Sequence, residues 1–160
     1  MSKIIYTNSD GTVSVIHPTG DVDNAIKDVP SGKAYKIVDD SVIPSDRSFR
    51  DAWVQDNETI KEDITKAREL HKNRIRDARK PKLEALDVEF QKALETSADT
   101  ASIVSKKNAL RDAPADSDIG SAADTAALKA QWNTALLVLL ISYLMLHISQ
   151  LNRPSAKSLN

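Results

Sequence analysis

Residues 59–95 read TIKEDITKARELHKNRIRDARKPKLEALDVEFQKALE, and this stretch decides the fold class. It holds no glycine, and Glu, Lys, Arg, Ala and Leu dominate it, the residues that lose least on entering a helix. Ile60, Ile64, Ala67, His71, Ile75 and Ala78 follow one another at intervals of three or four, and Leu83, Leu86, Phe90 and Ala93 continue the stripe. That spacing predicts one long helix from Thr59 with a single narrow apolar face of near-heptad period. Pro81 falls inside the run. It has no N–H to give to the helix ladder, so a kink or a division is expected there.

Working back from Thr59, the pattern shifts to short β-rich runs broken by turn residues. Lys3–Thr7 and Thr12–His17 read as two strands, and the Asp-Gly pair of Asn8-Ser9-Asp10-Gly11 between them suits a hairpin turn. Asp21 is placed to cap a short helix over 21–28, Ala34–Val38 reads as a third strand, and Phe49–Val54 as a fourth strand or a single helical turn. No hydrophobic core of signal-peptide length stands near Met1. The expected α+β module of residues 1–56 is close to the lower size limit for independent folding.

Working forward, Asp99 is placed to cap a helix running through Arg111, Pro114–Gly120 reads as a loop, and a last helix is expected to begin near Ser121 or Asp124. The expected organisation is therefore α+β: a small N-terminal β-hairpin module, a helical hairpin or coiled-coil-like region over 57–120, and a C-terminal apolar helix and tail over 121–160. Charge is uneven along it. Residues 71–82 carry six Lys or Arg and one Asp, whereas 83–128 carry four basic and nine acidic side chains. Such stretches can pair along antiparallel helices, which is preferred here to phosphate binding.

The 160 residues carry a formal net charge of −1, no Cys, four Gly and only two Trp, three Tyr and two Phe. Without cysteine there is no disulfide framework, no thiolate metal site and no cysteine nucleophile. Neither phosphate-cradling glycine pattern is present. His17, His71 and His147 stand far apart, so no metal-ligand pair at helical spacing arises, and the bland reading of His71 is a partly buried polar residue on the stripe. No serine lies in an elbow or SxxK motif. The expectation is a protein without catalytic constellation, metal or cofactor, with no nucleic-acid partner.

From Ala130 to Asn152 there is no charged residue, and Ala135–Ile148 is apolar apart from Ser142 and His147. Its length falls near the ~20 residues of a membrane-spanning helix. Three readings stay open: burial between subunits, membrane contact through 134–151, and a tail produced by an altered reading frame.

Two stretches resemble a known family. Ile4-Ile5-Tyr6-Thr7-Asn8, Val15-Ile16-His17-Pro18, Tyr35-Lys36-Ile37-Val38-Asp39-Asp40 and Ile43-Pro44-Ser45-Asp46-Arg47, with Phe49-Arg50 and Ala52-Trp53, resemble a module of tailed-bacteriophage and prophage proteins. Lys80-Pro81-Lys82-Leu83, Leu86-Asp87-Val88-Glu89-Phe90, Ala109-Leu110-Arg111-Asp112 and Leu128-Lys129-Ala130-Gln131-Trp132 resemble the C-terminal helical segment of phage tail-fibre and tail-fibre-assembly proteins, an LDxxF, ALRD, LKxxW order. The Leu-rich run after Trp132 departs from that pattern. The resemblance implies a virion or tail component, or an assembly helper, located in the virion or in the host cytoplasm during assembly. Its partners would be other virion proteins and further copies of itself. Ile64, Ile75, Leu83, Leu86, Phe90, Leu110, Arg111, Trp132, Leu136, Leu140 and Leu144 are the expected packing and interface residues. Arg111 is expected to pair with Glu84, Asp87 or Glu95 of the neighbouring helix.

Overall fold

Strands β1 (Ser2–Thr7) and β2 (Val13–Ile16) form the expected hairpin in a computed structural model that describes residues 1–131. Its turn is held locally. Gly11 takes a φ of +78°, which a side chain would strain, and its N–H donates to the Asn8 carbonyl at 3.0 Å. The Asp10 carboxylate accepts the Thr12 N–H at 2.9 Å and the Thr12 hydroxyl at 2.7 Å, which holds its pKa below the usual carboxylate value. Strand β3 (Tyr35–Asp39) pairs antiparallel with the other side of β1, so the sheet order is β2-β1-β3. Between β2 and β3 lies the short helix α1 (Val22–Ala25), capped by the Asp21 carboxylate through the Asp23 N–H and continued as a 3₁₀ turn over Ile26–Asp28.

Successive side chains of a strand point to opposite faces, yet Ile4 and Ile5 are both fully buried. Both faces of β1 are therefore covered. Ile5 belongs to a cluster with Val38, Trp53 and Ile60, against which Val13, Val15, Val42 and Ile43 pack. Trp53 and Ile60 come from a second sheet, made of β4 (Trp53–Asp56) and β5 (Thr59–Glu62). The alternative left open for 49–54 resolves into both forms, a 3₁₀ turn over Arg50–Ala52 followed at once by β4.

β5 corrects the sequence reading. Thr59–Glu62 is not the first turn of the long helix, and Ile60 sits in a strand opposite Gln55 instead of on the helical stripe. The turn between the strands uses Asn57 at φ 56°, a conformation Asn adopts more readily than most residues. The hairpin straddles residues 56 and 57, where a boundary between modules was expected. Helix α2 (Ile64–Glu95) then begins at Asp63, whose carboxylate accepts the N–H groups of Thr65 at 2.8 Å and Lys66 at 3.2 Å. Pro81 lies inside α2 without dividing it.

Beyond Ser97, another residue at φ 56°, α3 (Ala101–Asp112) opens where expected, with the Asp99 carboxylate 3.0 Å from the Ala101 N–H. The stretch read as a loop over 114–120 is helical instead: a 3₁₀ turn over Ala113–Ala115, then α4 (Ser117–Ser121). Pro114 stands at the start of that turn, where its missing N–H costs nothing. Helix α5 (Thr125–Ala130) is capped by Asp124, whose carboxylate accepts the Ala127 N–H at 2.7 Å. The architecture is α+β, strands first and helices after. It divides into a unit of Met1–His71 with Ser121–Lys129, and a helical unit built on Lys72–Gly120. Trp132, Leu136, Leu140 and Leu144, with the whole apolar run expected to form a last helix, lie outside the described residues.

Candidate interaction surfaces

In the first unit α5 is tied down by polar contacts. The Thr125 hydroxyl donates to the Glu62 carboxylate, Lys129 pairs with Asp46, and Arg68 Nη2 donates to the Ala122 carbonyl at 2.9 Å. The Lys129 contact, with help from the Ser48 N–H, drives the Asp46 pKa far below the usual carboxylate range. Ala122 and Leu128 are buried here, as are Phe49 and His71, whose rings lie 6.3 Å apart. His71 is thus a buried ring in a packed setting. Lys3, also buried, reaches Asp40 at 3.5 Å.

A cleft of about 440 Å³ opens beside β2, lined by Tyr6, Thr12–His17, Arg47, Arg50, Asp51 and Trp53. Arg50 lies 3.4 Å from Asp51, while the Arg47 side chain is exposed. Trp53 Nε1 is buried without a hydrogen-bond partner among the described residues. The cleft mixes cationic and apolar walls and brings no nucleophile–base pair together. Among the described residues no group of three His, Asp or Glu side chains is placed to hold a metal ion.

In the helical unit the stripe of α2 is the covered face. Ile75 and Leu86 are buried, and Leu83, Phe90 and Ala93 are half-buried, as Ile64 is in the first unit. Leu110 on α3 is fully buried. The basic run of 71–82 meets carbonyls as well as side chains: Arg79 Nη1 donates to the Leu110 and Arg111 carbonyls at 3.2 and 2.5 Å, satisfying the last turn of α3, whose C=O groups have no partner within the helix. Arg111 departs from expectation. It is exposed and donates to Asn108 at 3.1 Å within its own helix, and the carboxylate of Asp87 is taken by Lys107, whose ammonium also stands 5.0 Å from the centre of the Phe90 ring. Arg79 and Lys107, and not Arg111, are thus side chains that join α2 to α3. A sequence signal for them existed only in the charge asymmetry, which does not say which cation meets which partner.

Among the described residues the large apolar side chains left open are few, Met1 among them. Tyr35 and Ile37 on β3, Val88 and Leu94 on α2 and Val104 on α3 are exposed. Among the described residues no helix is long and apolar enough to cross a membrane. Set against protein-family models, curated proteins and solved structures, the chain matches none of them.

Proposed function

We propose that this chain is a non-enzymatic structural component of a tailed-bacteriophage virion, associated with the tail or tail fibre, that works by oligomerising and docking to other virion proteins. The support is the ordered LDxxF, ALRD and LKxxW resemblance, whose leucines Leu86, Leu110 and Leu128 are each buried. Such a motif serves as scaffold, and it leaves the outward surfaces free for partners. The polar joints at Arg79 and Lys107 fit the same role, because a docking part must hold its helices at a set angle. An assembly helper that leaves before the particle is finished is the neighbouring reading.

Mass spectrometry of purified particles tests both. A structural component is present at a fixed copy number. An assembly helper is absent, and its loss yields particles with defective tails. A protein absent from particles whose deletion leaves tails intact defeats both readings. The apolar run 134–151 favours a third reading, membrane contact; quantitative extraction from infected cells without detergent would sink it.

A further inference from the structure

We propose that the free edge of β3 pairs with the same edge of a second copy, joining two three-stranded sheets into one. Among the described residues β3 has β1 on one side and no strand on the other. The direction of its backbone groups follows from the ladder. The Asp40 N–H donates to the Met1 carbonyl at 3.0 Å, and hydrogen-bonded pairs alternate along an antiparallel pair. Val38 opposite Lys3 and Lys36 opposite Ile5 therefore bond to β1, and the N–H and C=O of Tyr35 and Ile37 point away from it. An edge of this kind is a template for another strand, and natural sequences blunt it with charge, proline or a bulge. β3 carries charge at Lys36 and Asp39, but Lys36 is turned to the other face of the sheet, and the outward backbone groups at Tyr35 and Ile37 belong to the two exposed large apolar side chains of the sheet.

The occupant is read from the symmetry of the strand. An isologous contact sets residue i against j and j against i. With Ile37 on the twofold axis, Ile37 faces Ile37, Tyr35 faces Asp39 and Lys36 faces Val38. No like charges stand directly opposite, and each Tyr35 lies beside a carboxylate. Asp39 keeps its charge, because the Ser41 N–H holds its pKa below the usual value. Lys36 is drawn to Glu58 on the other face of the sheet, at 3.8 Å. The outward amides of Ile37 match each other in this register, and any shift by one residue would pair outward groups with inward ones.

The chain has no cysteine, so a single introduced thiol reports the geometry cleanly. Directly opposed residues stand about 5.5 Å apart at Cα, within disulfide reach, whereas two copies of residue 36 are diagonal neighbours about 7–8 Å apart. Under mild oxidation of the full-length chain, Ile37→Cys should give mostly disulfide dimer, with Lys36→Cys and the helix control Val88→Cys giving several-fold less. Sedimentation should show that Ile37→Asp, with circular dichroism unchanged, weakens the dimer at least tenfold. Equal cross-linking at the three positions, or an unchanged dimer in Ile37→Asp, overturns the proposal. So does a monomeric wild-type chain, and protection of the Ile37 amide from hydrogen exchange in that monomer would assign the edge to another segment of the same chain.

Discussion

Single side chains separate the roles that the stripe alone could not. Leu86 is buried and Phe90 only half-buried, so Leu86→Ala should cost about 2–5 kcal/mol, in the range for core truncations. Phe90→Ala should cost less, losing part of the burial and a cation–π contact of about 0.5–1 kcal/mol. Denaturant unfolding of the two variants checks the order. Arg79→Met should destabilise more than Arg111→Met, because Arg79 serves two carbonyls of α3 while Arg111 bonds only within its helix. Equal melting temperatures for that pair would refute the assignment. The Asp46–Lys129 contact carries a pH signature. Asp46 has a folded pKa below its unfolded one, so its contribution is present above the ordinary carboxylate range and is lost as pH falls through that range toward the folded value. Asp46→Asn should therefore lower stability at neutral pH and flatten the acid limb of the stability curve, with the difference shrinking at low pH.

At the scale of elements, two departures from sequence expectation share one cause. Thr59-Ile60-Lys61-Glu62 carries residues compatible with a helix, yet pairing with β4 gives its backbone partners and puts Ile60 into the cluster around Ile5. Local propensity is worth tenths of a kcal/mol per residue, and tertiary burial outweighs it. Pro81 shows the same balance from the other side. A proline inside a helix costs about 3 kcal/mol, and α2 runs through it because flanking turns are packed at Ile75 and Leu86. Pro81→Ala should accordingly raise the melting temperature, and a lowered one would mean that the proline shapes a bend the packing needs.

For the whole molecule, the β-rich unit is closed from within its own residues, by α5. Deleting residues 134–160 should leave the unfolding of the β-rich unit unchanged, because Leu128 and the Lys129–Asp46 pair remain. Any assembly larger than the β3-edge dimer should dissociate in that truncated chain, as sedimentation would show.

Much of this fold was legible locally. The Asn-Ser-Asp-Gly turn, the Asp21 cap, the Asp99 carboxylate at the start of α3 and the α2 stripe from Ile64 onward each depend on residues within a few positions of one another, and each appears where the pattern put it. Asp124 is the one of two expected starts that opens α5. The sequence by itself therefore determined the α+β order and the face of α2 that is buried. Tertiary structure alone decided that residues 59–62 are a strand, that α2 passes Pro81 unbroken and that Arg79 and Lys107, not Arg111, join the helices. It also decided that β3 lies at an edge with Tyr35 and Ile37 outward. Those outcomes turn on which distant backbone and side chains come within bonding distance, and such contacts leave no periodic trace in a single chain.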